Sequence, residues 1–314
     1  MKLVMLEKLG VSKSTLDIFA KKYAKLGHDL VICENDLSKE EKKVLLNDAD
    51  IAIIANSSFD QDLVQACKNL KFLSVAFTGV DHIDKSIYDT TIKISNASGY
   101  ATVATAELTI NMMLNTLRNT VILDKLTREE KTMKGYIGNE LSGKVVGIVG
   151  GGQIGAHVAK ILNVFGANIL IYDLYRDKEL EEFATYTTLD TLLKASDIVT
   201  LHCPLNEETK GMFNYECFDL MKANAILINC ARGMLINDDD LIQALDNNKL
   251  RACGIDVFDV EPPINKSHKL LNNDKIIVTP HIAYATKESM EKRVQIVFEN
   301  IDAFLEGKQI NIIK

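Results

Sequence analysis

Short apolar runs alternate with helical patterns along the first hundred residues. Residues 2–6, 29–33, 51–55, 72–77 and 92–95 read as strands, because each is a compact apolar run bounded by polar or turn residues. Between them the spacing of apolar positions is helical, as over residues 12–26, where Ser12 or Ser14 can cap the amino end. Strands alternating with helices predict parallel pairing through crossover helices. From residue 102 to about 128 the pattern stays helical without proline or glycine, which predicts one long helix connecting two domains. Further apolar runs follow at 144–149, 168–173, 197–205 (broken by Pro204), 225–228, 252–257 and 276–278. A last helical pattern over 287–306, closed by Gly307, predicts that the carboxyl terminus returns to the first domain.

Composition narrows the class. At 314 residues the chain is long for one core, so two domains are expected. The formal charge of −7 gives no support for a nucleic-acid partner. No two of the six cysteines, Cys33, Cys67, Cys203, Cys217, Cys230 and Cys253, are spaced as Cys-x-x-Cys, so neither a disulfide framework nor a metal site is expected. The amino terminus enters a strand-like run at once, and no apolar run approaches a membrane span. The expected setting is the cytoplasm.

Chemistry enters with Gly150-Gly151-Gly152-Gln153-Ile154-Gly155, directly after the run 144–149. Gly150, Gly152 and Gly155 occupy the three glycine positions of the dinucleotide fingerprint: a tight turn, close backbone approach to a pyrophosphate, and close helix–strand packing. Gln153 and Ile154 would offer backbone N–H groups to the phosphates at a helix amino end. Asp173 ends the next apolar run, where its carboxylate can accept from ribose hydroxyls and repel a 2′-phosphate. That favours NAD over NADP, with Arg176 able to soften the preference.

Three charged residues follow later apolar runs: Arg232 in Asn-Cys-Ala-Arg-Gly, Glu261 before Pro262-Pro263, and His281 in Thr-Pro-His-Ile-Ala. Arg232 can hold a carboxylate through its planar fork. His281 can exchange a proton near neutral pH, with Glu261 fixing its tautomer and favouring the imidazolium. With the glycine turn, these motifs resemble the D-isomer-specific 2-hydroxyacid dehydrogenase family over about residues 72–281.

The resemblance implies two doubly wound parallel-sheet α/β domains. A Rossmann-type NAD domain (99–286) would be inserted into a flavodoxin-like substrate domain (1–98 plus 287–314). It also implies catalytic roles for Arg232, Glu261 and His281, with His202, Cys203, Pro204, Thr209, Cys230, Ala231, Arg232, Asp256 and His281 on the cofactor. A catalytic role for His202 is the weaker alternative, since His281 has the better context. Thr78, Gly79 and Val80 resemble the loop that binds the substrate carboxylate together with Arg232 and His281, and Tyr100 is a candidate pocket wall.

There are two departures. Val75 stands where phosphoglycerate dehydrogenases of the family often carry arginine, which argues against a phosphorylated substrate, and Tyr136 stands where many relatives have tryptophan. The implied activity is NAD-dependent interconversion of a small 2-keto acid and its D-2-hydroxy acid, by a homodimer. Glycerate/hydroxypyruvate or glyoxylate comes first and D-lactate next. An NAD(H)-sensing corepressor-like interaction protein on the same fold is the alternative; formate dehydrogenase is disfavoured by chain length.

Overall fold

Four-residue runs set the first sheet, with β3 and β4 buried on both faces as expected of parallel strands covered by helices. β1 (Lys2–Met5), β2 (Asp29–Ile32), β3 (Ile51–Ile54), β4 (Phe72–Val75) and β5 (Lys93–Asn96) pair in parallel in the order β2-β1-β3-β4-β5. That is the flavodoxin-like order. The computed structural model describes residues 1–260 and 262–314. Helices α1 (Lys13–Lys25), α2 (Lys39–Leu46) and α3 (Gln61–Ala66) lie among these strands in the chain. Their amino ends are capped by the side chains of Ser12, Ser38 and Asp60.

The chain divides into two units, Met1–Ala101 with Ala285–Lys314, and Thr102–Tyr284. The second begins with α4 (Thr102–Arg118) and α5 (Thr120–Arg128). One continuous helix was expected here, and the structure corrects this. Asn119 adopts a left-handed backbone (φ 55°), which asparagine tolerates better than most residues and which interrupts the helical ladder. Nor is α4 a bare connector. Ala106, Met112 and Met113 are buried in the core of the second unit beside Ile148, Val158 and Ile228.

Seven parallel strands form the second sheet: β6 (Val145–Val149), β7 (Asn168–Tyr172), β8 (Ala184–Tyr186), β9 (Ile198–Leu201), β10 (Ala225–Asn229), β11 (Leu250–Ile255) and β12 (Ile276–Val278). Their order is β12-β11-β10-β9-β6-β7-β8. The direction of winding reverses between β6 and β9, the topological switch point at which such sheets bind ligands. α6 (Gln153–Val164), α7 (Leu189–Ala195), α8 (Tyr215–Leu220) and α9 (Asp238–Asp246) complete the unit.

The last helix, α10 (Lys287–Leu305), belongs to the first unit. Phe298 stacks on Phe19 with ring centroids 3.9 Å apart, and Phe304 stacks on Phe72 at 4.5 Å. Phe298 is fully buried, which contributes roughly 2–3 kcal/mol. The tail beyond α10 covers the outer edge of β5: Asn96 N donates to Asn311 O, and Ile313 N to Ile94 O. An exposed strand edge is thereby closed.

Candidate active site

The glycine turn is shaped by space as much as by torsion. Gly150 has φ 101°, and a Cβ there would lie 2.6 Å from the backbone of His202 and Cys203. β6 and β9 therefore approach closely at the switch point. At Gly155 a Cβ would stand 1.9 Å from Gly150 O, so the first turn of α6 rests directly on the loop. Gly152 is the N-cap of α6 and offers no capping side chain, and nothing lies within 4 Å of where its Cβ would be. The N–H groups of Gln153 and Ile154, in the first turn, lack intrahelical acceptors and face no side-chain cap. A pyrophosphate fits such a cradle.

Asp173 follows β7 and reaches back to this turn. Its Oδ2 accepts from Gly151 N at 2.6 Å and its Oδ1 from Tyr175 N at 2.9 Å. The carboxylate is thus anchored beside the loop. Arg176 is drawn away from it, pairing with Glu181 at 3.0 Å and lying 5.3 Å from the Tyr186 ring centre. Asp173→Ser should therefore narrow the preference for NADH over NADPH by about tenfold or more, the effect of one like-charge repulsion near a surface. Equal use of both cofactors by the unmodified enzyme would remove Asp173 from this role.

At the end of β9, His202 N donates to Val149 O at 2.7 Å and ties the two switch-point strands together. Its Nε2 lies 3.0 Å from Thr200 Oγ1, while its Nδ1 is buried without a hydrogen bond. Burial pushes the imidazole down to about 3, so the ring is neutral at working pH and does not serve as a proton donor. Thr209 Oγ1 donates to Pro204 O at 2.7 Å and accepts from Asn206 N at 2.9 Å, bracing the loop after Cys203. Burial raises the Cys203 thiol to about 11. Cys230 is buried with Sγ 3.9 Å from Met112 Sδ, so only its backbone is available toward a ligand.

Neighbouring strands carry the charged residues. At the end of β10, Asn229 is fully buried; its Oδ1 accepts from Ala231 N at 3.0 Å and its Nδ2 donates to Arg232 O at 2.9 Å. This clamp fixes the turn from which the half-buried Arg232 side chain projects. Gly233, which sequence reasoning missed, is as constrained: its Cβ would fall 2.0 Å from the Phe258 carbonyl carbon and oxygen and 2.6 Å from Asp259 N. No residue but glycine lets the β10 turn meet the chain leaving β11. Glu261 lies outside the described residues.

Asp256, fully buried at the end of β11, organises the turn after β12. Its Oδ1 accepts from Ile282 N at 2.9 Å and from Thr279 Oγ1, its Oδ2 from Ala283 N at 2.8 Å, and its carbonyl from His281 N at 2.8 Å. His281 is held with φ 54°, uncommon for a residue with a Cβ, and its ring meets Tyr284 edge-on at 5.5 Å. A carboxylate has about four acceptor sites, so Asp256 retains capacity for a carboxamide donor.

In the first unit, the loop Thr78-Gly79-Val80 follows β4 by two residues. Thr78 O accepts from Asn96 Nδ2 at 2.7 Å, and Phe77 O from Ala97 N at 3.0 Å. The last residue of β5 and the one after it thus fix the loop. Phe77 and Tyr100 are buried, with ring centroids 6.0 Å apart.

One further cluster gathers Asp238, Asp259 and His268, the one grouping of three ligand-type side chains found among the described residues. His268 Nδ1 accepts from Leu270 N, so the neutral ring carries its proton on Nε2, which lies 3.0 Å from Asp259 Oδ1. Burial, and after it the Asp259 charge, raises the Asp238 carboxyl. The hydrogen bond joins two residues of the chain after β11, and Asp238 on α9 faces the same ring nitrogen at 3.7 Å.

Comparison with known proteins agrees with this geometry. Residues 110–283 match the family described as D-isomer specific 2-hydroxyacid dehydrogenase, NAD binding domain. A hydroxypyruvate reductase of Blautia hydrogenotrophica is 33% identical, over 100% of this chain and 99% of its own length. Another hydroxypyruvate reductase, from Thermotoga maritima, is 36% identical over 85% of this chain and 88% of its own. Among solved structures, an acyclic imino acid reductase in complex with NADPH and D-Arg is similar with a TM-score of 0.90 and 26% identity, each chain covered completely. With its glycine cradle at the switch point and its charged residues on adjacent strand ends, the chain belongs to the D-isomer specific 2-hydroxyacid dehydrogenase family.

Proposed function

We propose that the substrate is a small, unphosphorylated 2-keto acid. Hydroxypyruvate/glycerate or glyoxylate comes first and pyruvate/D-lactate next, handled by Arg232, His281 and Glu261. The reaction class follows from the family: an NAD-dependent oxidoreductase acting on the CH–OH group of a D-2-hydroxy acid. The observation that supports the residue roles is the register of β10, β11 and β12, adjacent and parallel, which delivers Arg232, Asp256 and His281 at one edge of the sheet. The Gly150–Gly155 turn and Asp173 would hold NAD, whose nicotinamide would supply or accept the hydride when bound.

Arg232 would hold the substrate carboxylate and polarise the keto oxygen; in the first unit, the backbone N–H groups of Thr78, Gly79 and Val80 are of the kind that suits a carboxylate. His281 would give a proton to that oxygen during reduction and take it back during oxidation. Glu261 would bond the other ring nitrogen. Asp256 positions His281 rather than reacting, because its carboxylate and its carbonyl hold the turn.

Val75 in place of a cation leaves the phosphate route unsupplied, and the two reductase relatives carry names of small, unphosphorylated substrates. A homodimer and a cytoplasmic setting belong to the same proposal and rest on the family resemblance. Among the described residues no helix is long and apolar enough to cross a membrane. Both reductases bear enzyme names, and nothing in them favours an NAD(H)-sensing interaction protein.

NADH oxidation with hydroxypyruvate, glyoxylate, pyruvate and 3-phosphohydroxypyruvate tests the reading. No turnover on any of them, or preference for the phosphorylated acid, overturns it. In the same assay Arg232→Lys keeps the charge and loses the fork, so kcat/KM should fall on the order of 10²-fold or more. Near-normal activity would mean that the carboxylate is held elsewhere.

A further inference from the structure

Asn300 lies on α10, where Val297, Phe298 and Ile301 are also buried, and is itself only 1% exposed. An amide taken out of water is costly unless it is hydrogen-bonded, and a leucine would pack there without that cost. Both ends of this amide are used. Its Nδ2 donates to Asn96 O at 2.9 Å, and its Oδ1 accepts from Asn311 Nδ2 at 2.9 Å. Asn96, buried at the end of β5, extends the line, because its Nδ2 donates to Thr78 O at 2.7 Å. Asn311 is held from its other side: its carbonyl accepts from Asn96 N at 3.0 Å, and its backbone takes a left-handed torsion, φ 51°. Three side-chain amides therefore join the tail, α10, β5 and the loop Thr78-Gly79-Val80, all within the first unit. Their direction is fixed. Asn96 O and Thr78 O are carbonyls and only accept, so Asn300 and Asn96 must turn their NH2 groups toward them, which leaves Asn300 Oδ1 for Asn311.

At the far end of this line two peptide planes are oriented. Phe77 O accepts from Ala97 N at 3.0 Å and Thr78 O from Asn96 Nδ2, so both carbonyls face the end of β5. Both peptides are trans, and in a trans peptide the N–H points opposite to the carbonyl. The N–H groups of Thr78 and Gly79 are thereby turned away from β5, and neither donates to another described residue. Adjacent N–H groups turned the same way suit an anion. We propose that Asn300 and Asn311 are positioning residues for this loop, so that its grip on a substrate carboxylate depends on the carboxyl-terminal tail. The inference rests on the reading of Thr78-Gly79-Val80 as a carboxylate loop. Neither asparagine touches the substrate; each acts through Asn96.

Asn300→Leu keeps the volume, removes the amide and leaves Asn96 O without its donor. With hydroxypyruvate as the varied substrate its KM should rise about 3- to 30-fold, the range for one lost hydrogen bond to a buried carbonyl. Both kcat and the KM for NADH should stay within about twofold. Asn311→Gly keeps the torsion and serves should the leucine protein fail to fold; it should raise the same KM about two- to fivefold. Together the two substitutions should do no more than Asn300→Leu alone, because Asn311 acts through Asn300. Asn300→Asp gives a readout that packing alone would not move. The ionised acid only accepts, whereas the protonated acid can donate to Asn96 O, and burial favours the protonated form. Its KM, divided by that of the unmodified enzyme at the same pH, should therefore fall toward one as pH is lowered from about 8 to about 5. No rise in the keto-acid KM, additive effects, a ratio independent of pH, or an equal rise in the KM for NADH each overturn the inference. Amide hydrogen exchange tests the same relay without turnover: exchange at Ala97 N should quicken about tenfold in Asn300→Leu, while β3 is unchanged. Unchanged exchange at Ala97 also overturns the inference. No turnover of any keto acid by the unmodified enzyme removes the dehydrogenase reading instead, and exchange then decides the relay alone.

Discussion

Replacing His281 with alanine should cut turnover by about 10²- to 10⁴-fold while leaving NADH affinity nearly intact, the usual worth of a positioned acid–base group. Geometry sets this expectation apart from a general disruption. The turn that carries His281 is built by Asp256 through backbone groups of residues 281–283 and the Thr279 hydroxyl, none of which needs the imidazole. The alanine variant should therefore keep its fold, its melting temperature and its cofactor site. Reduction consumes a proton and oxidation releases one. In the unmodified enzyme the reduction rate should fall as pH rises, and the oxidation rate should rise. In the alanine variant both dependences should flatten. Steady-state rates in both directions across pH 5 to 9 decide the matter. Retained opposite slopes in the variant would assign proton transfer to another group.

Gly233→Ala should be nearly as damaging, although the substitution adds only one uncharged methyl group. That methyl would have to stand 2.0 Å from the carbonyl of Phe258, which is backbone and cannot swing aside. Phe258 itself is buried, with its ring against His268 at 5.3 Å, so the chain after β11 is pinned from its far side. Relief must come from the turn that holds Arg232 or from the segment that leads to Glu261. Overpacking of this kind costs roughly 1–3 kcal/mol of stability. The larger effect should be on kcat/KM for the keto acid, a loss of about 10²-fold or more, because small misplacements of reacting groups are expensive. NADH affinity, which the proposal assigns to the Gly150–Gly155 turn, should change far less. Activity within a few fold of normal in a folded Gly233→Ala protein would show that the two turns are not coupled.

The glycine turn, the charged residues and the alternation of strands are legible in the sequence because each is a local pattern. The strand runs overshoot where the apolar residues outlast the ladder: residues 72–77 read as strand, while pairing stops at Val75 and Phe77 turns out of the sheet. β8 escapes because it has three residues, of which only Ala184 is buried. Asn119 breaks a helix through a torsion that leaves the apolar spacing untouched. The need for glycine at 233 and the anchoring by Asp256 are both long-range, each joining a residue to a segment more than twenty positions away. Asn300 reads in sequence as one more polar position on a helix, and only the structure shows it buried.

The stitching of α10 and the tail onto the first sheet also sets an order of assembly. Synthesis delivers β1 to β5 first, then the whole of Thr102–Tyr284, and only afterwards Phe298, Phe304 and the strand-edge partners of β5. The unit encoded first is thus finished last. Until then Phe19 and Phe72 lack their stacking partners and the edge of β5 is open, while the continuous unit already has its full complement of strands. On the ribosome the dinucleotide fold should mature ahead of the half that precedes it, and the nascent first sheet is the stretch most in need of shelter from aggregation.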